Sequence, residues 1–465
     1  MEELTILADG QAIPEGVKKP ERKASWFDTF SYIANPEQFC RQNLDKYGAI
    51  FNTGVFGTNT VFVGSSQAIQ MAFNGDSKYT EIALPETTMD MFGEYSLFQR
   101  SDLHRERKSA LRPGFTGSML AGYMPHINQT IVSSIETWNE GNKFLYPVVE
   151  EICFKVLVPI LLGIPLTGDR SNVFAASPFA NLEELKSCYR TYFNGFYGLL
   201  KWNSSLTAYG RGIKARAKLL KFMQAIIQQR RTSSTAIDPQ ADFLSMMLAS
   251  QQENPDGVFS DALIENQCLL QLWASHYEIS GLVASLIYQL GKYPQVLAKL
   301  LEEQDRLTAE QTNSGVFVGE QLKQMSFLEA TIKESLRTLP PSSTVNRRLT
   351  KSVILDGILY PKGYALIAEP RLAHMMSEYF AEPQLFDPER FLPPRSEGKM
   401  YQFIPFGGGI HACLGAQMAM VTAKIFVSHW ISRFDWQLIG EPSFVQFPLK
   451  RIKSNYQIDL KKKIK

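Results

Sequence analysis

The stretch Phe406-Gly407-Gly408-Gly409-Ile410-His411-Ala412-Cys413-Leu414-Gly415 sets one cysteine between a run of glycines and an apolar segment with the pattern of a helix. Cysteine acts as a nucleophile or metal ligand in its thiolate form, which the unpaired N–H groups and positive dipole end of a helix N-terminus favour. Cys413 stands where that helix is expected to begin. Successive glycines allow φ > 0 and a close backbone approach to a flat ligand, and Gly415 allows the same beyond the sulfur. A free cysteine is by default a buried, inert core residue. The case for a ligand thiolate therefore rests on the pattern around it.

That pattern reads Phe-x-x-Gly-x-x-x-Cys-x-Gly, with an imidazole at His411. Two further motifs precede it, Glu334-Ser335-Leu336-Arg337 and Asp387-Pro388-Glu389-Arg390-Phe391. Glu334 and Arg337 are three apart on a predicted helix from Phe327 to Thr338, closed by Leu339-Pro340-Pro341, so their side chains share one face. In this order the three motifs resemble the cytochrome P-450 superfamily, from about Trp26 to the C-terminus. The resemblance implies a mainly α fold with small β-sheets, the P-450 fold. It implies haem b as cofactor, Cys413 as its iron ligand, and Phe406, Gly407, Gly415 and Ala274 against the ring. Glu334, Arg337 and Arg390 are implied to form a structural triad.

Haem carries two propionates, and a half-buried dianion needs cations. Four residues match the family positions that supply them. They are His104 and Lys108, four apart in Leu103-His104-Arg105-Glu106-Arg107-Lys108, then Arg347 and His411. His and Lys stand where many relatives have Trp and Arg, a pattern similar to the subgroup that includes retinoic-acid hydroxylases. Taken alone, the pair reads as a solvated basic face. Arg105, Arg107, Lys108 and Arg112 add a local positive cluster on which an acidic ferredoxin or flavodoxin is a candidate electron donor. The chain carries no flavin or iron–sulfur motif of its own, so electrons are expected from a separate protein, or peroxide replaces them.

Outside the motifs, composition says little. A formal net charge of +2 and an ordinary apolar fraction point away from nucleic acid. Cys40, Cys153, Cys188, Cys268 and Cys413 are scattered and odd in number, which fits a reducing cytoplasm better than a disulfide framework. Residues 1–25 read as a polar N-terminal extension without an apolar anchor, and 26–465 as a single haem-thiolate domain. The run Val156 to Leu166 is too short to span a bilayer. A cytoplasmic enzyme of bacterial type, serving secondary metabolism, is the expectation.

Along the chain, Trp26 to Tyr47 reads as one helix, Ala49 to Val63 as a small antiparallel sheet, and Leu349 to Ile367 and Trp436 to Leu460 as further strands. Asp261 to about Leu290 is apolar on nearly every face, as a helix buried in a large core must be. In most relatives the helix over the haem carries an acid followed by an alcohol. Here it reads Ala274-Ser275-His276-Tyr277-Glu278-Ile279-Ser280. An ungapped count places Tyr277 at the acid position and Glu278 at the alcohol position; a one-residue shift places Glu278 and Ile279 there instead. Activating dioxygen consumes protons, and general acid catalysis requires a placed donor. Glu278 is the first candidate, against the alternative of a structural carboxylate, with Tyr277, Ser275 and Ser280 behind it; a mid-helix serine often bonds only the carbonyl four residues back.

Met89, Met91, Phe92, Ser343, Thr344 and Val345 are expected to line the substrate pocket. Tyr189, Tyr192, Phe193, Phe196 and Tyr197 fit either a hydrophobic or aromatic small-molecule substrate or plain core. The resemblance implies a haem-thiolate oxidoreductase, first of all a monooxygenase hydroxylating a hydrophobic small molecule. Oxidative coupling or ring formation of an aromatic substrate without oxygen insertion, and a non-catalytic haem sensor or ligand carrier, remain as alternatives.

Overall fold

The computed structural model describes residues 4–463 apart from 100, 167–172, 175–176, 199, 235, 310–316, 345 and 448. Its axis is the helix Asp261–Lys292. Ser260 caps it by accepting the Leu263 N–H, and Asp261 and Lys292 sit at the ends where the helix dipole favours their charges. Residues on almost every face are buried, as the sequence pattern requires. The helix packs against Leu145–Leu162, Ala208–Thr232 and Ala416–Arg433. Together these helices enclose one large apolar core.

The small sheets lie to one side. Ile50–Thr53 and Thr60–Val63 form the expected antiparallel hairpin. Thr60–Val63 then pairs in parallel with Ala365–Ala368, which continues through Arg347–Leu349 to Thr80–Ile82, a five-stranded mixed sheet. This register places Arg347 beside the loop that carries Asp76. A separate sheet joins Phe434–Leu438, Gln457–Lys462 and Gly141–Phe144.

One local expectation changes. Trp26 to Tyr47 is two helices, Asp28–Ala34 and Pro36–Tyr47. Proline at 36 cannot continue a helix from its N-terminal side, and Asn35 instead caps the second helix by accepting the Gln38 N–H. The N-terminal extension is laid down as structure: Thr5–Ile6 pairs with Val353–Ile354, Leu7 is buried, and Arg22 binds Asp28.

Candidate active site

The helix Ala416–Arg433 begins just past Cys413, with Gly415 at its N-cap. The loop before it closes on itself, the Cys413 N–H donating to Phe406 O at 2.8 Å and the Ala412 N–H to Gly409 O at 3.2 Å. Gly409 has φ +64°, and a Cβ there would lie 2.2 Å from Phe73 O, so both its conformation and its neighbour demand glycine. Cys413 is exposed only to a cavity; its surroundings still desolvate the thiol, which burial pushes up to about 11 while the Gly415 N–H and Lys108 pull the other way. A metal cation bound at the sulfur would favour the thiolate further.

That cavity has a volume of about 340 Å³ and lies between the cysteine loop and the central helix. Phe406, Gly407, His411, Cys413 and Gly415 line one wall and Ala274, Ser275, Glu278 and Ile279 the other. A Cβ on Gly415 would meet nothing within 4 Å, and one on Gly407 only His411 O at 3.9 Å, so these glycines leave open the space a flat group needs. The helix residues follow i, i+1, i+4, i+5 spacing, which selects the register with Glu278 facing the cavity and Ile279 after it.

The cationic edge is more elaborate than the motifs imply. Lys108 donates to Ile410 O at 2.7 Å and Ala412 O at 2.5 Å. Both ring nitrogens of His104 face carbonyl oxygens, Leu97 O at 2.6 Å and Ile410 O at 2.8 Å. The helix Ser101–Leu111 thus holds the cysteine loop as well as bordering the cavity. Arg347 does not line the cavity; it pairs with Asp76 at 3.3 Å, and the Asp76 Oδ1 lies 3.4 Å from His411 Nε2 without hydrogen-bond geometry. Both ring nitrogens of His411 are buried without a hydrogen-bond partner. Burial holds the His411 pKa down near 4, with Asp76 opposing and Arg347 and His104 reinforcing. A buried, unspent imidazole at a cavity edge with Lys108 and Arg347 nearby fits a carboxylate-bearing flat ring.

On the opposite wall, burial pushes the Glu278 carboxyl up to about 7, against the polarity of the Ser342 hydroxyl and the charge of Arg371. Tyr277 and Ser280 are not where the sequence expectation put them. One residue turns a helix by about 100°, so Tyr277 cannot share the face of Glu278. Its ring stacks on Phe193 at 4.2 Å, outside the cavity lining. Ser280 Oγ donates to His276 O at 2.6 Å, the carbonyl four residues back.

The expected substrate wall is partly displaced as well. Phe92 lines the cavity, but Met89 and Met91 do not; the Met91 side chain fills the gap between Gly195 and Gly212. Ser343 and Thr344 line it with their hydroxyls already spent, on Glu369 Oε2 and Ala368 O at 2.7 Å each. Val345 lies outside the described residues. Tyr189, Tyr192, Phe193, Phe196 and Tyr197 are absent from the lining and belong to core clusters. Sequence reading missed Asp76, Glu369, Arg371 and His374, because each acts through contacts distant in sequence and no local pattern marks it.

Glu334 accepts from Arg337 Nε at 2.7 Å and Nη2 at 2.8 Å and from Arg390 Nε at 3.1 Å, with all three side chains buried. The contacts of the implied triad are therefore present.

The Cytochrome P-450 family model matches residues 22–458, and the chain belongs to that family. It is a haem-iron monooxygenase, which acts on a small molecule with electrons from a separate redox partner. It is 26% identical over 441 residues to cytochrome P-450 120 of Synechocystis sp., covering 94% of each chain. It is 27% identical over 433 residues to cytochrome P-450 26B1 of Xenopus tropicalis, covering 91% of this chain and 82% of that one. Abscisic acid 8'-hydroxylase 2 of Arabidopsis thaliana is 24% identical over 419 residues, with 90% and 83% covered. The solved structure of retinoic acid-bound cyanobacterial CYP120A1 superposes with a TM-score of 0.83 at 25% identity, over 96% of this chain and all of that one. Among the described residues no helix is long and apolar enough to cross a membrane.

Proposed function

We propose that this enzyme hydroxylates a hydrophobic small molecule, with Cys413 as ligand to a haem b iron and Glu278 as the proton-carrying group of the cavity. The observation that carries the reading is the sharing of one cavity by Cys413 and Glu278 across facing walls. When bound, haem supplies the redox centre at which dioxygen is activated, and thiolate ligation favours O–O cleavage. The chain has no Cys-x-x-Cys-His attachment sequence, which supports a non-covalent haem b.

The residues then divide the work. The Gly415 N–H and Lys108 favour the anionic sulfur of Cys413. His411 and Lys108 would meet the ring's carboxylate edge, with Arg347 paired to Asp76 behind His411, while Phe406, Gly407, Gly415 and Ala274 leave room for its faces. Phe92, Phe98, Leu270, Trp273 and Leu282 give the substrate an apolar wall that excludes water. Glu278, poised near neutrality, holds a proton at its carboxyl oxygen and releases it as charge develops in the cavity. Residues 26–465 act as one domain with 1–25 as its extension. A cytoplasmic location, a ferredoxin- or flavodoxin-type donor and a place in secondary metabolism complete the proposal; the five unpaired cysteines support the first.

The test is a panel of apolar small molecules, retinoic acid among them, screened by substrate difference spectra and then by mass analysis of turnover. Binders that shift the haem spectrum and gain oxygen support the reading. Loss of the thiolate carbon monoxide band in Cys413→Ser supports the ligand; its retention there refutes it.

A further inference from the structure

Gln267 and Gln271, one turn apart on the central helix, line the cavity together with Phe92, Leu97, Leu270 and Trp273. Neither amide has a part in the proton chemistry of Glu278. A polar group in so apolar a wall is costly unless it finds a partner.

The hydrogen bonds fix which way each amide faces. Gln267 is fully buried, and its Nε2 donates to Tyr95 O at 2.6 Å. A carbonyl oxygen only accepts, so this bond sets the NH2 end of Gln267 and turns its Oε1 the other way. That Oε1 accepts from Gln271 Nε2 at 3.0 Å. The second amide is thereby oriented by the first, and Gln271 Oε1 is left without a protein partner among the described residues. This oxygen is not one of the polar atoms sealed inside the protein: Gln271 is half-buried and borders the cavity.

Charge narrows what it can bind. Among the described residues the cationic types that line the cavity are His104, Lys108 and His411. Burial lowers the pKa of both imidazoles, and Lys108 Nζ is held on Ile410 O and Ala412 O at the cysteine loop. A carboxylate brought to Gln271 would meet an acceptor oxygen and stay unpaired, whereas a hydroxyl can donate to that oxygen. We propose that Gln271, oriented by Gln267, is a specificity-determining residue that accepts a hydrogen bond from the hydroxyl of a neutral, otherwise apolar substrate. This deepens, and rests on, the reading of the enzyme as one that acts on a hydrophobic small molecule. Gln271 stands two turns before Glu278, about 10 Å along the helix, so the substrate is held by its polar end and oxidised on its apolar part.

The test titrates holoprotein with dodecanol, its methyl ether and ionised dodecanoate, read by substrate difference spectra. The alcohol is expected to bind roughly fivefold more tightly than the ether, the scale of one hydrogen bond, and roughly tenfold more tightly than the carboxylate. In Gln271→Leu the alcohol is expected to fall to the affinity of the ether. In Gln271→Lys the carboxylate is expected to become the tightest of the three, with haem content and the carbon monoxide spectrum as in the parent. An ether that matches the alcohol in the parent, a carboxylate that outbinds it there, or an alcohol preference that survives in Gln271→Leu overturns the assignment. If all three probes bind alike, Gln271 is refuted while the hydrophobic reading stands; if none binds, that reading falls and takes this assignment with it.

Discussion

The His374 ring accepts the Ile404 N–H at its Nε2, 3.0 Å away, two residues before Phe406 opens the cysteine loop. Its Nδ1 faces Arg337 O at 3.3 Å, and Arg337 Nη1 donates back to His374 O at 3.0 Å. Burial and the Arg337 charge hold His374 neutral, its pKa near 3, which keeps Nε2 available as an acceptor. The Glu334 ion pairs and the cysteine loop are thereby one connected structure rather than two neighbouring motifs.

Arg337→Ala is therefore expected to destabilise the fold and to empty the haem site together. Removing one partner of a buried pair strands the other charge at a cost of about 3–5 kcal/mol. Denaturant unfolding and haem content per chain measure the two effects. A variant that keeps full stability and full haem would contradict the coupling.

Asp76 is the second buried carboxylate on which the site depends. It faces both Arg347 and His411, and Asp76→Asn keeps the shape while removing the charge that holds them. Faster haem loss to an excess of a haem-scavenging globin is expected, with a stability loss of about 1–3 kcal/mol. An unchanged rate of loss would mean that Arg347 and His411 are held by other contacts.

Glu278 gives a signed pH dependence. Its carboxyl titrates near 7 in the fold against 4.5 ordinarily. Between those values the folded chain holds a proton that the unfolded chain has released, so this group's contribution falls as pH rises, by roughly 3 kcal/mol across the window. Glu278→Gln lacks that loss. The stability of the variant relative to the parent is expected to rise with pH through the window and level off above it; parallel stability curves would show that the carboxyl titrates normally.

In turnover, Glu278→Gln is expected to retain haem, the thiolate spectrum and substrate binding while slowing the oxygen-dependent rate by roughly 10²–10⁴-fold, the range for a general acid. Peroxide partly bypasses the loss. Stopped-flow and steady-state rates with the same substrate decide it, and a rate equal to that of the parent would make Glu278 structural.

The sequence carried those parts of the site that are local. The cysteine loop, the Glu334–Arg337 pair and the all-round apolar central helix each declare themselves by spacing within a few turns. The helix register did not: Tyr277 and Glu278 are adjacent, and only packing against Phe193 shows which of them faces away. Met91 and the aromatic residues around Tyr192 follow the same logic, since a pattern of large apolar side chains is identical for core and pocket. Asp76 and His374 meet their partners through strand register and loop closure, and nothing in their own neighbourhoods marks them.

The most direct measurement is turnover of a bound substrate under isotopically heavy dioxygen, followed by mass analysis of the product. Hydroxylation at this cavity predicts a product that carries one heavy oxygen atom. A product that has lost hydrogen and gained no heavy oxygen would contradict the proposed function and point to oxidative coupling or ring formation.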